Sequence, residues 1–308
     1  MAGGELQAAL EAAVTKNIDG AEGIENLHRL TAGASQETWS FDAVGPDQPL
    51  PLILRRAPGG VPEERSTAIG QEKEAKLIQI AYEHGVKAPK VRFVCQPEDG
   101  LGVGFVMDRI EGETLAPRVL RDESFDAVRP KLAHQCGEVL AAIHKVPVEE
   151  VDWLRTSNAA SQWQTVHDVY DQYFEEPSPV FEYAFRWVKE RLPESPESRL
   201  VHGDFRNGNI MFHPQDGVRA VLDWEIAHLG DPMEDMGWIC VNSWRFGRID
   251  RPVGGFGERE DLFAGYEEAG GGKVDPERVR FWEVFGSLRW GVTCRSMAFT
   301  HWSGPERS

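Results

Sequence analysis

Between residues 200 and 237 the chain reads LVHGDFRNGNIMFHPQDGVRAVLDWEIAHLGDPMEDMG, and no other stretch constrains the fold so tightly. Strand-type residues Leu200 and Val201 end in His202-Gly203-Asp204. Strand character resumes at 209–212, HPQDG reads as a turn, and VRAVLD closes on Asp223. Asp204 therefore sits on a loop before a short hairpin, Asn209 follows five residues later, and Asp223 ends the second strand. An acid, an amide and a second acid on one hairpin form the arrangement that holds a metal–phosphate group beside a base. In that arrangement Asp204 orients an acceptor hydroxyl and takes its proton. Asn209 and Asp223 offer Mg²⁺ the hard oxygen ligands it prefers, and ATP phosphates complete the octahedron. Any one of these acids alone reads rather as a solvated turn residue; the joint spacing carries the chemistry.

The rest of the chain supplies a setting for the hairpin. Residues 5–16 read as a short amphipathic helix. A Gly-centred turn from Thr31 to Gln36 leads into strand-type residues. PLILRR (51–56) is a compact strand, APGGVP beyond it a loop, and residues 67–83 carry Ala75, Leu77, Ile78 and Ala81 at helical spacing. VRFVC (91–95) and VGFVM (103–107) read as an antiparallel hairpin. After Met107, DRIEGETL suits a connection between lobes. Residues 131–145 place Leu132, Cys136, Val139, Leu140 and Ile143 on one stripe of a helix. Residues 161–191 are aromatic-rich and helical in pattern, and 276–300 return to helix. The expected fold is α+β: a β-rich N-terminal lobe over residues 1–108, then a mainly helical lobe over 109–308 that carries the hairpin.

Composition narrows the partners. A net charge of −17, from 33 basic and 50 acidic residues, opposes nucleic acid and anionic membrane surfaces. The acidic balance is otherwise an ordinary solvated surface. Four cysteines, Cys95, Cys136, Cys240 and Cys294, lie far apart without a CxxC pair, which fits a reducing cytoplasm better than a disulfide or zinc framework. The start, MAGGELQAALEAAV, lacks a basic n-region and does not read as a signal peptide. No run of about 18 apolar residues marks a membrane span.

HGDFRNGN with LDWE resembles the aminoglycoside phosphotransferase-like family of small-molecule kinases. The match lies at His202, Gly203, Asp204, Asn209, Asp223 and Glu225, and GDPMEDMGW continues it at Asp231, Pro232, Asp235 and Gly237. The resemblance implies a protein-kinase-like two-lobe fold and an ATP- and Mg²⁺-dependent transfer of the γ-phosphoryl group to a small-molecule hydroxyl. Within it His202 is expected to brace the loop. Glu225 either touches the metal or shapes the loop. Asp231 and Asp235 read as structural, Asp235 as a cap on the next helix. The ending HWSGPERS is abrupt for the family, which often continues in another helix, and suggests truncation.

Nucleotide binding also needs a strand cation for the α/β-phosphates and an acid on the next helix to orient it. Alternation puts Ile53 and Arg55 on one face of the LILRR strand and Leu52, Leu54 and Arg56 on the other. Arg55 stands where the family pattern has Lys, with Glu74 as its natural partner. Its fork geometry differs from a lysine's, and both arginines also read as surface-strand cations. TAGASQET lacks GxGxxG. Gly33 and Ser35 there either cradle phosphate or belong to an ordinary turn. From the resemblance alone, Met107 begins the linker whose backbone meets adenine.

The acceptor is open. Arg206, beside Asp204, is either a bidentate donor to an acidic or acyl-type substrate or a loop arginine paired with a nearby acid. Trp238, Trp244, Trp282, Trp290 and Trp302 either line an acceptor pocket or fill the core. A metabolite kinase, resembling the branch associated with acyl-CoA dehydrogenase-like proteins, is preferred over an antibiotic kinase. The competing readings are a nucleotide-binding pseudokinase and a metal-dependent hydrolase.

Overall fold

Strand alternation in LPLILRR organises the first part of the molecule. The computed structural model describes residues 3–30, 36–46, 49–61, 68–194 and 197–303. Strand β3 (Leu50–Arg56) pairs antiparallel with β2 (Glu37–Val44) on one side and β5 (Gly104–Asp108) on the other. With β1 (Gly23–Leu30) and β4 (Val91–Val94) outside them, the five strands run β1-β2-β3-β5-β4, all antiparallel. Helix α1 (Gly3–Asn17) lays Leu6, Leu10, Ala13 and Val14 into one core with Phe41, Leu52, Leu54 and Val106. Each such leucine is worth about 2 kcal/mol of burial. The other face of β3 presents Arg55 to α2 (Gln71–Glu83), which buries Ala75, Leu77, Ile78 and Ala81 as the spacing predicts. The expected start of that helix at Thr67 lies outside the described residues. Arg56 is buried on the α1 side, where Glu37 meets its guanidinium at 2.7 Å and Leu101 O accepts from it at 3.1 Å.

The chain divides into two compact units, 1–112 with 219–226, and 113–218 with 227–308. Backbone bonds explain why the short later segment joins the first unit. Val221 N donates to Lys87 O at 2.8 Å and Ile69 N to Glu225 O at 2.8 Å. Trp224, fully buried, donates its backbone N–H to Glu74 Oε1 at 3.2 Å.

The second unit is mainly helical. Its helices are α3 (Ala116–Arg121), α4 (Leu132–His144), α5 (Ala159–Tyr173), α6 (Pro179–Lys189), α7 (Met233–Ile239), α8 (Arg259–Glu268) and α9 (Pro276–Ser303). The helical pattern at 161–191 resolves into two helices, because Pro179 cannot continue α5 but suits the first turn of α6. Asn158 and Ser161 form the capping box that starts α5, with bonds of 2.9 and 3.0 Å. Helices α4 and α8 cross at two glycines: a Cβ at Gly137 would lie 2.1 Å from Leu262 O, and one at Gly265 would lie 2.0 Å from His134 O. Strands β6 (Arg199–Val201) and β9 (His228–Gly230) pair antiparallel, and β7 (Ile210–His213) with β8 (Gly217–Val221) forms the expected hairpin. No described helix is long and apolar enough to cross a membrane.

Candidate active site

The second unit builds the loop between β6 and β7. Asp235 on α7 points both carboxylate oxygens at the loop backbone: His202 N donates to Oδ2 at 2.8 Å and Gly203 N to Oδ1 at 2.9 Å. His144 Nε2 lies 3.2 Å from the same Oδ2, and its Nδ1 lies 2.9 Å from the Tyr266 hydroxyl. The glycine crossing of α4 and α8 makes that last contact reachable. Burial works against a charge on Asp235, but the hydrogen bond and charge of His144 hold it below the usual carboxylate range. Asp235 is thus a loop brace, not the helix cap expected from sequence. The capping role falls to Asp231, whose Oδ1 accepts from Met233 N at 3.0 Å. His202 braces the loop as expected: its Nδ1 accepts from Asp204 N at 3.2 Å.

Asp204 emerges from this frame with its carboxylate fixed. Arg206 Nε donates to Oδ1 at 3.0 Å, Trp238 Nε1 to the same atom at 2.8 Å, and Asn209 Nδ2 to Oδ2 at 2.6 Å. Asn209 also bonds Asp204 O at 3.0 Å. Its amide nitrogen is committed to Asp204, which orients its Oδ1 for another partner. Of the two readings of Arg206, the pairing with a nearby acid is the one observed. Its Nη1 donates to Asn207 O at 2.9 Å and its guanidinium stacks 4.6 Å from the Trp244 ring. These bonds use two of its five N–H groups, and Nη2 takes part in neither.

The first unit gathers the other predicted residues. Arg55 Nη2 meets Asp223 Oδ1 at 2.5 Å, Glu74 Oε1 at 3.1 Å and Glu225 Oε2 at 4.0 Å. Arg55 is no surface-strand cation: its side chain is 13% exposed and faces three acids. Burial would weaken its hold on a proton, but Glu74 and Asp223 raise its pKa. Burial pushes Glu74 up to about 7 against the pull of Arg55. Arg55 Nε and Glu74 Oε2 are buried without a hydrogen-bond partner among the described residues. Asp223 adopts φ +66°, a left-handed conformation that Asp tolerates better than most residues and that turns its carboxylate off the line of β8. Gln36 completes the surround, with Nε2 3.4 Å from Glu225 Oε2 and Oε1 accepting from Gln71 at 2.9 Å. Met107 lies within β5, paired with Ile53 and Val91. Gly33 and Ser35 lie outside the described residues.

The chain also resembles known proteins. The model of the phosphotransferase enzyme family (APH) matches residues 26–282. The chain belongs to that family. Among curated relatives, the chain is 30% identical over 200 residues to the mouse acyl-CoA dehydrogenase family member 10. It is 27% identical over 195 residues to the human acyl-CoA dehydrogenase family member 11. Those matches take 62% and 60% of the chain but only 18% and 24% of the relatives, so it spans about a quarter or less of their length. A solved structure of a candidate aminoglycoside phosphotransferase from Ralstonia eutropha is similar with a TM-score of 0.75 at 24% identity, covering 98% of this chain and 91% of that one. A choline/ethanolamine kinase family protein from Mesorhizobium loti gives 0.64 at 20% identity, with 97% and 88% covered. At these identities the likeness is one of fold, and the fold is the protein-kinase-like α+β architecture that the motif implied.

Trp238 on Asp204 and the His144–Tyr266 support of Asp235 carry no sequence signal, since their partners lie 34 to 122 residues apart. The Trp residues divide: Trp238, Trp244 and Trp282 are buried, Trp290 packs partly buried against the first two, and Trp302 is 63% exposed.

Proposed function

We propose that this phosphotransferase moves the γ-phosphoryl group of ATP to a hydroxyl of a small metabolite, with Asp204 as the base. The observation that carries this reading is the fixed carboxylate of Asp204 on a braced loop, with Asn209 bonded to it. The acceptor O–H hands its proton to Asp204 Oδ2 as the new O–P bond forms. The bond from the γ-phosphorus to the bridging oxygen breaks, leaving ADP and a phosphomonoester. Arg55, held by Glu74, is the cation for the α/β-phosphates in place of the family's lysine. Its orphaned Nε is a donor suited to a phosphate oxygen. Gly33, Ser35 and the Met107 backbone remain proposed nucleotide contacts on the strength of the family pattern.

The donor set fits Mg²⁺. Asn209 Oδ1 and the Asp223 carboxylate are hard oxygen ligands. ATP phosphate oxygens would complete the shell of such an ion. When bound, the ion offsets charge on the transferring group. A cytoplasmic setting with ATP and Mg²⁺ at hand suits this chemistry, and the four cysteines are free thiols.

For the acceptor, Arg206 is paired with Asp204 through Nε, and its Nη2 edge is a donor suited to an acidic or acyl-type group. The acyl-CoA dehydrogenase family relatives favour a metabolite, and a hydroxyl on an acyl-type compound heads the candidates. The test is Mg²⁺-dependent ATP consumption across a panel of hydroxyacyl compounds, sugars, choline and aminoglycosides, with Asp204→Asn as control. Asp204→Asn is expected to lower kcat about 10³-fold while nucleotide still binds. Turnover surviving in that variant removes the base. Tight ATP binding with no acceptor in the panel favours the pseudokinase, a reading the Arg55–Asp223 ion pair motivates.

A further inference from the structure

The bonds around Asp204 are unequal in origin. Arg206 and Asn209 belong to the same loop as the carboxylate, so both move with it. Trp238 belongs to α7, and its indole N–H reaches Asp204 Oδ1 at 2.8 Å from 34 residues away. A carboxylate offers about four lone-pair positions in its plane. Arg206 and Trp238 take both on Oδ1, and Asn209 takes one on Oδ2.

We propose that Trp238 is a positioning residue for the base: its indole N–H fixes the Asp204 carboxylate so that one lone pair of Oδ2 alone faces the acceptor hydroxyl. This rests on the reading of Asp204 as the base and adds the group that aims it. Three features show that Trp238 is held for the purpose. Its neighbour Gly237 lets α7 lie against α9, since a Cβ there would come 2.5 Å from the Trp282 Cβ. The Arg289 guanidinium stacks 3.9 Å from the Trp238 ring, where a cation draws electron density from the indole and strengthens its N–H as a donor. Arg289 is itself tied to the loop through Gly203 O at 3.1 Å and to the buried Glu234 Oε1 at 3.2 Å. Trp244 provides the contrast within the same aromatic cluster: its ring lies 5.3 Å from that of Trp238, yet its Nε1 is buried with no partner among the described residues. One indole packs, while the other packs and donates.

The experiment has two arms. In the first, Trp238→Phe keeps most of the ring and deletes the N–H. With MgATP and the best acceptor of the panel, kcat is expected to fall about ten-fold while KM for ATP stays within two-fold. A purely structural role would change folded fraction and nucleotide affinity together, so an equal loss in both, or a folded variant with wild-type kcat, overturns the proposal. The second arm needs no turnover and no altered tryptophan. In the indole ¹H–¹⁵N spectrum of full-length protein, the Trp238 resonance is expected to move upfield in proton shift in Asp204→Asn, because an amide oxygen accepts more weakly than a carboxylate. A Trp238 resonance unmoved by Asp204→Asn overturns the proposal even if Trp238→Phe fails to fold. Undiminished turnover in Asp204→Asn with a shifted indole resonance sinks the base instead, and separates the two failures.

Discussion

The loop at Asp204 and the cluster at Arg55 handle buried charge in opposite ways. Around Asp204 every charged group has its counterpart: three donors surround the carboxylate, and Asp235 beneath it takes two backbone amides and His144. Around Arg55 one cation faces Glu74, Asp223 and Glu225, and two buried polar atoms, Arg55 Nε and Glu74 Oε2, lack partners. A base must hold one geometry throughout a turnover, so full hydrogen bonding serves it. A group that binds polyphosphate and a cation must exchange partners, and unsatisfied donors with surplus negative charge serve that. The Asp204 loop is fully hydrogen-bonded, whereas the Arg55 cluster keeps unmet polar groups.

That contrast can be broken most directly at Asp235. Asp235→Ala strips an acceptor from two buried amides and from His144. It is expected to cost about 4 kcal/mol in urea denaturation, together with nearly all turnover. A loss below about 1 kcal/mol would show that the loop is not braced as described. The next largest effect lies in the first unit. Glu74 sits at a pKa of about 7, above its ordinary value of 4.5, so its contribution is fully present below about pH 4.5 and is lost as pH rises through 7. Stability of the nucleotide-free protein should therefore decline over that window, by about 3 kcal/mol at most. Glu74→Gln should flatten the slope, and an unchanged slope would place the titration elsewhere. The smallest effect sharpens the role of Asp223. Asp223→Asn should reduce the gain in nucleotide affinity that Mg²⁺ confers by roughly ten-fold, about 1.4 kcal/mol, as read by calorimetry with and without the ion. A Mg²⁺ effect equal to wild type removes Asp223 as a ligand.

Legibility in the sequence followed the range of the interactions. The β3 alternation, the helix stripes of α2 and α4 and the hairpin at 210–221 were readable because each rests on residues within a few positions of one another. Helix α7 was not, since all seven of its residues are buried, Glu234 and Asp235 included, and an element buried all round shows no amphipathic period. The pairing of Arg55 with Glu74 followed from strand alternation and helix register. The additional hold of Asp223 on Arg55 required segment 219–226 to join the first unit, which no local pattern announces. Arg206 illustrates the same limit: its two readings differ only in where the guanidinium turns, and that is settled by Asp204 and Trp244.

The sequence by itself determined the family and the spacing of its motif. Asp204, Asn209 and Asp223 are set by spacing along one short stretch, and spacing along a hairpin is a local property. Tertiary structure decided how those groups are held: that Asp235 braces the loop and does not cap a helix, that Trp238 reaches Asp204, and that Arg55 is shared among three acids. Each of those outcomes depends on elements far apart in sequence meeting in a packed interior, where burial makes every unpaired polar group costly and so selects one partner from many.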